Sequence, residues 1–509
     1  MKKILFGSML FFSLLILSGC GGGDGEDGAI GVLPQTGAPV ITTEPANLIV
    51  TAGQTASFSV VATGTGTLHY QWKKGANNVG TNSANYAIAS AQAADSGSYT
   101  VTVSDNEGSV TSRTAILEVT SDELSDRSFT FGVWMQDPGT IYNGKTNAQN
   151  YKDIGINTFL GLWNWPGEQN MYPGYALDAM QALKDADLIV YAGNDQAAVN
   201  WINARPAFAD TLAGYLLGDE PDMNKVNGAP GDQPDAWKAA GDALHAADPT
   251  RGIYANFGKG FALDPWAGYH ISPGPDRADD FAKYVAPLSV LSSDFYGITD
   301  SWEGVADHGV WTYGRAVRNT INYAGERPVW GLVEASAPWR DDENAGPNRH
   351  QMYERMPPSL VMPIVWNMVV HGAQGIVYFC HDFSSSGLGY YAALREPGMP
   401  QAMMAANESV MAFGAVLKTA SIAGTAVTTN GAVSVVALTK RFNGSTYVFA
   451  MGHGNSTYRH GLAVDAEITV SGETGSKSVE VLNGSRTITM TNGKISDHFE
   501  PYQLHIYKF

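Results

Sequence analysis

The chain is poor in cysteine and in positive charge. Only two of its 509 residues are cysteine, Cys20 and Cys380. A disulfide-stapled scaffold is therefore excluded, and packing must hold the fold. Cys380 lies in an apolar run and reads as a small core residue. Lys and Arg number 31 against 49 Asp and Glu, a formal net charge of −18. Nucleic acid phosphates would be repelled by that balance, whereas a neutral polymer such as a glycan would not. Beyond the first 20 residues no apolar run is long enough to span a membrane. Aromatic side chains, by contrast, are plentiful, with 12 Trp and 23 Tyr. The length predicts roughly three domains of about 150 residues each, with ample apolar surface for a large core.

The N-terminus carries Lys2 and Lys3, then an apolar run from Ile4 to Leu17. That is the pattern of an export signal, too short for a comfortable membrane span. The following Leu17-Ser18-Gly19-Cys20 resembles the bacterial lipoprotein box. The resemblance implies a signal peptide over 1–19 and a lipid on Cys20. It also implies an exported chain anchored to the cell envelope, with the outer membrane, surface or periplasm as its place. Residues 20–37, rich in Gly, Asp and Pro, read as a flexible tether.

From 38 to 120, short alternating segments are separated by turn residues, the pattern of a β-sandwich. Tyr70-Gln71-Trp72 and Asp95-Ser96-Gly97-Ser98-Tyr99-Thr100-Val101 resemble an immunoglobulin-like domain. The resemblance makes Trp72 the buried tryptophan and Tyr99 the tyrosine corner. Val60 and Val101 stand where the inter-sheet cysteines would be. The module is expected to act as a spacer; glycan binding is the alternative.

From 127 to 418, strand-like runs alternate with helical ones, which points to βα units around a parallel sheet. Eight runs are expected: 130–136, 158–165, 188–195, 214–220, 252–257, 290–298, 328–334 and 375–382. Eight repeats over this length fit a (β/α)8 TIM barrel. An open doubly wound sheet fits less well, because no Gly-rich phosphate turn follows the first run. Residues 419–509 return to alternation and are expected to form a C-terminal β-sandwich. The fold class is thus multidomain, a (β/α)8 barrel flanked by two β-rich domains.

In such a barrel, chemistry sits at the C-terminal strand tips. Gly214-Tyr215-Leu216-Leu217-Gly218-Asp219-Glu220-Pro221-Asp222 is an apolar run that ends in carboxylates. Acids there are costly to desolvate and call for a function. Asp222 alone reads better as a turn acid that caps a helix. The seventh run, Pro328–Glu334, ends in a glutamate in the same way. Other tips offer Trp163 and Trp165, Asn194 and Asp195, Asn256, Asp294 and Tyr296, and His381 with Asp382. One protonated and one ionised carboxyl across a barrel mouth can cleave a glycosidic bond.

Glutamates on strands four and seven mark clan A of the glycoside hydrolases, and Glu220-Pro221 and Glu334 resemble that pair. The resemblance implies that Glu220 is the acid/base, that Glu334 is the nucleophile, and that Tyr296 hydrogen-bonds Glu334. The clan usually carries Asn before its acid/base, in contact with the sugar 2-hydroxyl. Asp219 departs from this, and its charge would favour the protonated form of Glu220. Trp163, Trp165, Trp302 and Trp339 are candidate sugar platforms or core residues. Asn194, Asp195, Asn256 and His381 are candidate substrate contacts. His381 with Asp382 lacks a third nearby ligand, so no metal is expected. No cofactor is expected either.

The domain order is similar to bacterial endo-β-1,3-glucanases. A monomeric retaining hydrolase of a neutral β-glucan is therefore the expected function. A non-catalytic glycan-binding lipoprotein of an uptake system is the alternative. A polysaccharide lyase is less favoured, since an acidic polymer would meet a negative chain.

Overall fold

The computed structural model describes residues 37–46, 48–51, 55–92, 95, 97–120, 129–162, 174–222, 225–226, 229–230, 234–262, 277–298, 309–336, 356–382, 391–455 and 461–509. The signal, Cys20 and nearly all of the tether fall outside the described residues. So do Trp163, Trp165, Trp302 and Trp339.

In the N-terminal module the strand His69–Lys74 pairs antiparallel with Gly97–Asp105, setting Trp72 opposite Val101. Trp72, Tyr99, Val60 and Val101 are all buried. Phe58 lies 5.8 Å from the Trp72 ring and 4.8 Å from the Tyr99 ring, centroid to centroid. Trp72 Nε1 donates to the Ser83 carbonyl at 3.0 Å. Packing alone thus fills the space that an inter-sheet disulfide would bridge. Trp72→Ala should cost about 3–5 kcal/mol, a large part of such a module's stability. Hydrogen exchange across residues 56–105 should show protection lost there.

The central strands are β1 (Thr130–Trp134), β2 (Thr158–Leu160), β3 (Ile189–Tyr191) and β4 (Leu212–Asp219). Four more follow, β5 (Gly252–Phe257), β6 (Val290–Ser293), β7 (Val329–Glu334) and β8 (Gly375–Phe379). They close into one barrel, β8 pairing parallel with β1. All eight expected runs are present. β6 ends at Ser293, short of the expected 298, with Asp294 N still donating to the Phe257 carbonyl of β5 at 2.7 Å. Helices alternate with the strands, including α1 (Asn147–Asp153), α2 (Tyr175–Asp185), α3 (Gln196–Asn203) and α4 (Pro234–Ala247). They continue with α5 (Arg277–Val285), α6 (Val310–Ala324), α7 (Val361–Val370) and α8 (Met399–Met411).

Most strand residues are buried on both faces, which is why they read as apolar runs rather than as alternation. Trp134, Leu160, Tyr191, Tyr254, Trp330, Leu332 and Phe379 belong to an inner cluster. Tyr254 and Trp330 stack at 5.4 Å. The interior is thus a packed aromatic core that supports the rim. Helices α6 and α7 meet at Gly314, whose N–H donates to Asn367 Oδ1 at 2.8 Å. A Cβ at residue 314 would come within 2.1 Å of the His371 ring.

The described C-terminal residues form one eight-stranded antiparallel sheet. Its links are short in places, as between Ser476–Val481 and Leu504–Lys508, which pair at Glu480–Lys508 and Val481–Tyr507. The sheet curls, and Thr425 Oγ1 reaches Thr439 Oγ1 at 2.6 Å between its first and last strands. Along Ser445–Gly452, Val448 and Ala450 point into the sheet's own core. Phe449 and Met451 face the barrel helices instead, and Phe449 stacks on Trp366 of α7 at 5.8 Å. That is the period-two alternation of a strand covered on both faces.

Candidate active site at the C-terminal rim of the barrel

Because the strands are parallel, their C-terminal tips share one rim. Asp219 ends β4 and Glu220 follows it; Glu334 ends β7. The two glutamates are therefore on the same face of the barrel. Glu220 has φ +45°, a left-handed conformation that is uncommon away from glycine. Its N–H donates to the Asn256 carbonyl at 2.8 Å, which fixes the turn. Such strain costs on the order of 1–3 kcal/mol and persists where the surroundings enforce it, often at functional sites.

Glu334 is fully buried, and its Oε1 accepts the Ile298 N–H at 3.0 Å. Behind it lies Tyr313 of α6, whose pKa is raised by burial and then by the Glu334 charge. No sequence signal marked Tyr313, because an aromatic on a core-facing helix usually only packs.

Tyr296 departs from the expected role. Its hydroxyl donates to Asp294 Oδ2 at 3.2 Å, not to Glu334. The ring sits edge-on against Phe379 at 5.4 Å, and this holds it toward Asp294. Burial, then the charges of Asp294, Glu220, Asp219 and Glu334, raise its pKa. Tyr296 thus lies within the field of carboxylates from β4, β7 and the β6 tip.

Asp219 is held by a chain of hydrogen bonds from the barrel interior. Asn256 Nδ2 donates to Asp219 Oδ1 at 3.0 Å, and Ser292 Oγ donates to Asn256 Oδ1 at 2.6 Å. With the Ser292 proton so used, Tyr254 OH must be the donor in its 2.5 Å contact with Ser292. Asn256 is thereby oriented, with its amide NH2 toward the carboxylate. Loss of water and then the Glu220 charge push Asp219 up to about 7. Asp219 keeps an open face to solvent, which screens that push.

Asp222 has a structural place. It is 1% exposed, and Oδ1 accepts the Gly258 N–H at 2.8 Å beside the short helix Lys259–Ala262. Burial, with the Glu220 charge adding, raises it to about 7. A carboxyl with a folded pKa above its unfolded value near 3.9 destabilises the fold once ionised. The penalty is absent below about pH 4, grows as pH rises, and is complete above about 7. Asp222→Asn should accordingly raise stability at pH 8 by roughly 1–3 kcal/mol, with little effect at pH 4. Urea unfolding at the two pH values measures this.

Asp195 is the N-cap of α3, its Oδ1 accepting the Ala198 N–H at 2.9 Å, while Asn194 beside it is exposed. The Asp195 carboxylate therefore serves the helix. His381 is buried, Ser336 Oγ donates to its carbonyl at 2.6 Å, and burial lowers its pKa to about 4. It is neutral at pH 7. Among the described residues, no group of three or more His, Cys, Asp or Glu could hold a metal ion.

Residues 38–105 match the family model of the immunoglobulin domain. A titin Z1Z2 chimera carrying a KLER peptide from decorin is 26% identical over 17% of this chain and 98% of its own, with a TM-score of 0.16. Titin M7 is 28% identical over 17% of this chain and 98% of its own, again at 0.16. At that score the structural likeness carries no argument for the barrel. A search of curated proteins gave no match.

Proposed function

We propose that the barrel is a retaining glycoside hydrolase that cleaves β-glycosidic bonds of a neutral polysaccharide, with β-1,3-glucan as the first candidate. Glu220 is the acid/base and Glu334 the nucleophile. One observation carries the reading: Glu334 ends β7 and Glu220 directly follows β4, so parallel strands bring both glutamates to one rim, with Tyr296 under the influence of both. Glu220 protonates the departing oxygen while Glu334 attacks the anomeric carbon; Glu220 then takes a proton from water as the glycosyl-enzyme is hydrolysed. The Ile298 N–H suits an ionised Glu334. Asp219, oriented by Asn256, accepts a hydrogen bond from the sugar 2-hydroxyl.

The (β/α)8 reading of the barrel and a sandwich reading of the curled C-terminal sheet fit this class of enzyme. Export and a lipid on Cys20 would place it at the bacterial envelope, facing polymer too large to import. The test is a panel of polysaccharides offered to a soluble form starting after Cys20. Release of reducing ends from a β-glucan supports the reading. Glucan binding with no release would favour a glycan-binding lipoprotein instead.

A further inference from the structure

The joint between the barrel and the C-terminal sheet holds two histidines that no step of the glycosidase reading uses. His371 caps the C-terminus of α7. His453 follows the strand Ser445–Gly452, and its backbone N–H donates to the Ser434 carbonyl at 2.8 Å, which ties it to the sheet. The two rings meet across the joint at 5.3 Å, centroid to centroid. Phe449 and Met451, on the strand just before His453, are the side chains that seat the sheet on the barrel helices.

The surroundings suit neutral rings alone. His371 Nδ1 lies 2.7 Å from the Asn367 carbonyl. A carbonyl only accepts, so Nδ1 carries the proton of the neutral ring and Nε2 its lone pair. Nε2 of both histidines is buried and has no hydrogen-bond partner among the described residues. Either ring, once charged, carries an N–H on that atom with nothing to accept it, which is costly. The neighbours are donors as well. Trp311 of α6 lies edge-on to His453 at 6.0 Å, and its Nε1–H is buried without an acceptor. The Arg315 guanidinium lies 4.7 Å over the Trp311 ring, and Arg318 follows one turn further along α6.

We propose that His371 and His453 form an acid-sensitive latch: the C-terminal sheet stays seated on α6 and α7 while both rings are neutral, and protonation releases it. Two charged rings at 5.3 Å would also repel each other and the arginines of α6. Loss of water around the rings, first, holds His371 down to about 3 and His453 down to about 4. The His453 charge adds to this at His371, and the Arg318 charge adds at both. No carboxylate of the described residues acts on either ring. The charged groups facing the pair are Arg315 and Arg318 of α6; α7 itself and residues 431–434 carry no titratable side chain. Folded values below the free imidazole value of about 6.5 mean that the released state takes up protons first. The latch is therefore whole above about pH 7 and weakens as pH falls toward about 4. At pH 4.5 each ring should favour release by about 100-fold relative to pH 7.

The test is hydroxyl-radical footprinting of the full chain at about pH 7.5 and about pH 4.5, in the wild type and in the double variant His371→Asn, His453→Asn. Asparagine keeps a donor where Nδ1 stood and takes up no proton. Met451 reports on the joint, while Met490 in the sheet's own core and Met180 in the barrel are controls. In the wild type, oxidation of Met451 should rise about tenfold or more at the acid pH, with Met490 and Met180 unchanged. In the double variant Met451 should stay covered at both. An equal rise in the two proteins would overturn the proposal, because other groups would then drive the release. So would a rise at all three methionines together, which would mean unfolding rather than release.

Proton NMR titration of the histidine rings in the wild type needs no variant, and decides the matter if the double variant does not fold. The His371 and His453 resonances should keep their neutral shifts down to the pH at which Met451 becomes open, and then move with it. Either ring titrating at about pH 6.5 with Met451 still covered would overturn the latch. Neither measurement uses a glycan, so the latch stands or falls apart from the glycosidase reading.

Discussion

Glu334→Gln should lower hydrolysis by at least about 10³-fold for every substrate, whatever its leaving group. Glutamine keeps an oxygen for the Ile298 N–H, so the bond at 3.0 Å can persist and the fold with it. It offers no anionic nucleophile to the anomeric carbon. Glu334 is fully buried, so exchange for a neutral isostere removes the desolvation of a charge and should not lower the melting temperature. Residual turnover is measured by reducing-end release over long incubation. Melting curves alongside separate loss of chemistry from loss of structure.

Glu220→Gln should give a different pattern. General acid catalysis contributes about 10²–10⁴-fold, and the loss depends on how much the departing oxygen needs a proton. A polysaccharide leaving group needs one, so hydrolysis of glucan should fall by that factor. An aryl glycoside whose phenol leaves readily as an anion needs it little, so formation of the glycosyl-enzyme should be nearly spared. Burst kinetics on such a substrate would show fast first release followed by slow turnover, because the base of the second step is missing. An equal loss on both substrates would assign Glu220 some other role.

Why these two residues could be picked out, and others could not, follows from the physics of each position. Strands buried on both faces leave near-continuous apolar runs, so all eight barrel strands were legible, and a carboxylate ending such a run stands out. Glu220 and Glu334 were visible for that reason. The partner of Tyr296 was not, because the direction of a hydroxyl is set by packing against Phe379, far away in sequence. Asp195 was legible only as an acid at a strand tip, and the helix that it caps comes into view only in the structure. Ser292 and Tyr254, which orient Asn256, carry no signal at all, since a serine and a tyrosine in apolar strands look like ordinary core. The order of the C-terminal sheet joins strands far apart in sequence, such as Ser476–Val481 with Leu504–Lys508, and local alternation cannot encode that.

The central claim is that residues 220 and 334 act on one bond from a shared rim. Proton NMR of the anomeric region during early hydrolysis of a β-glucan tests it most directly. Two displacements at one carbon, the first by Glu334, predict that the β-anomer appears first and mutarotates to the α form later. An α-anomer formed first would mean a single displacement by water, and would contradict the assignment of Glu334 as nucleophile.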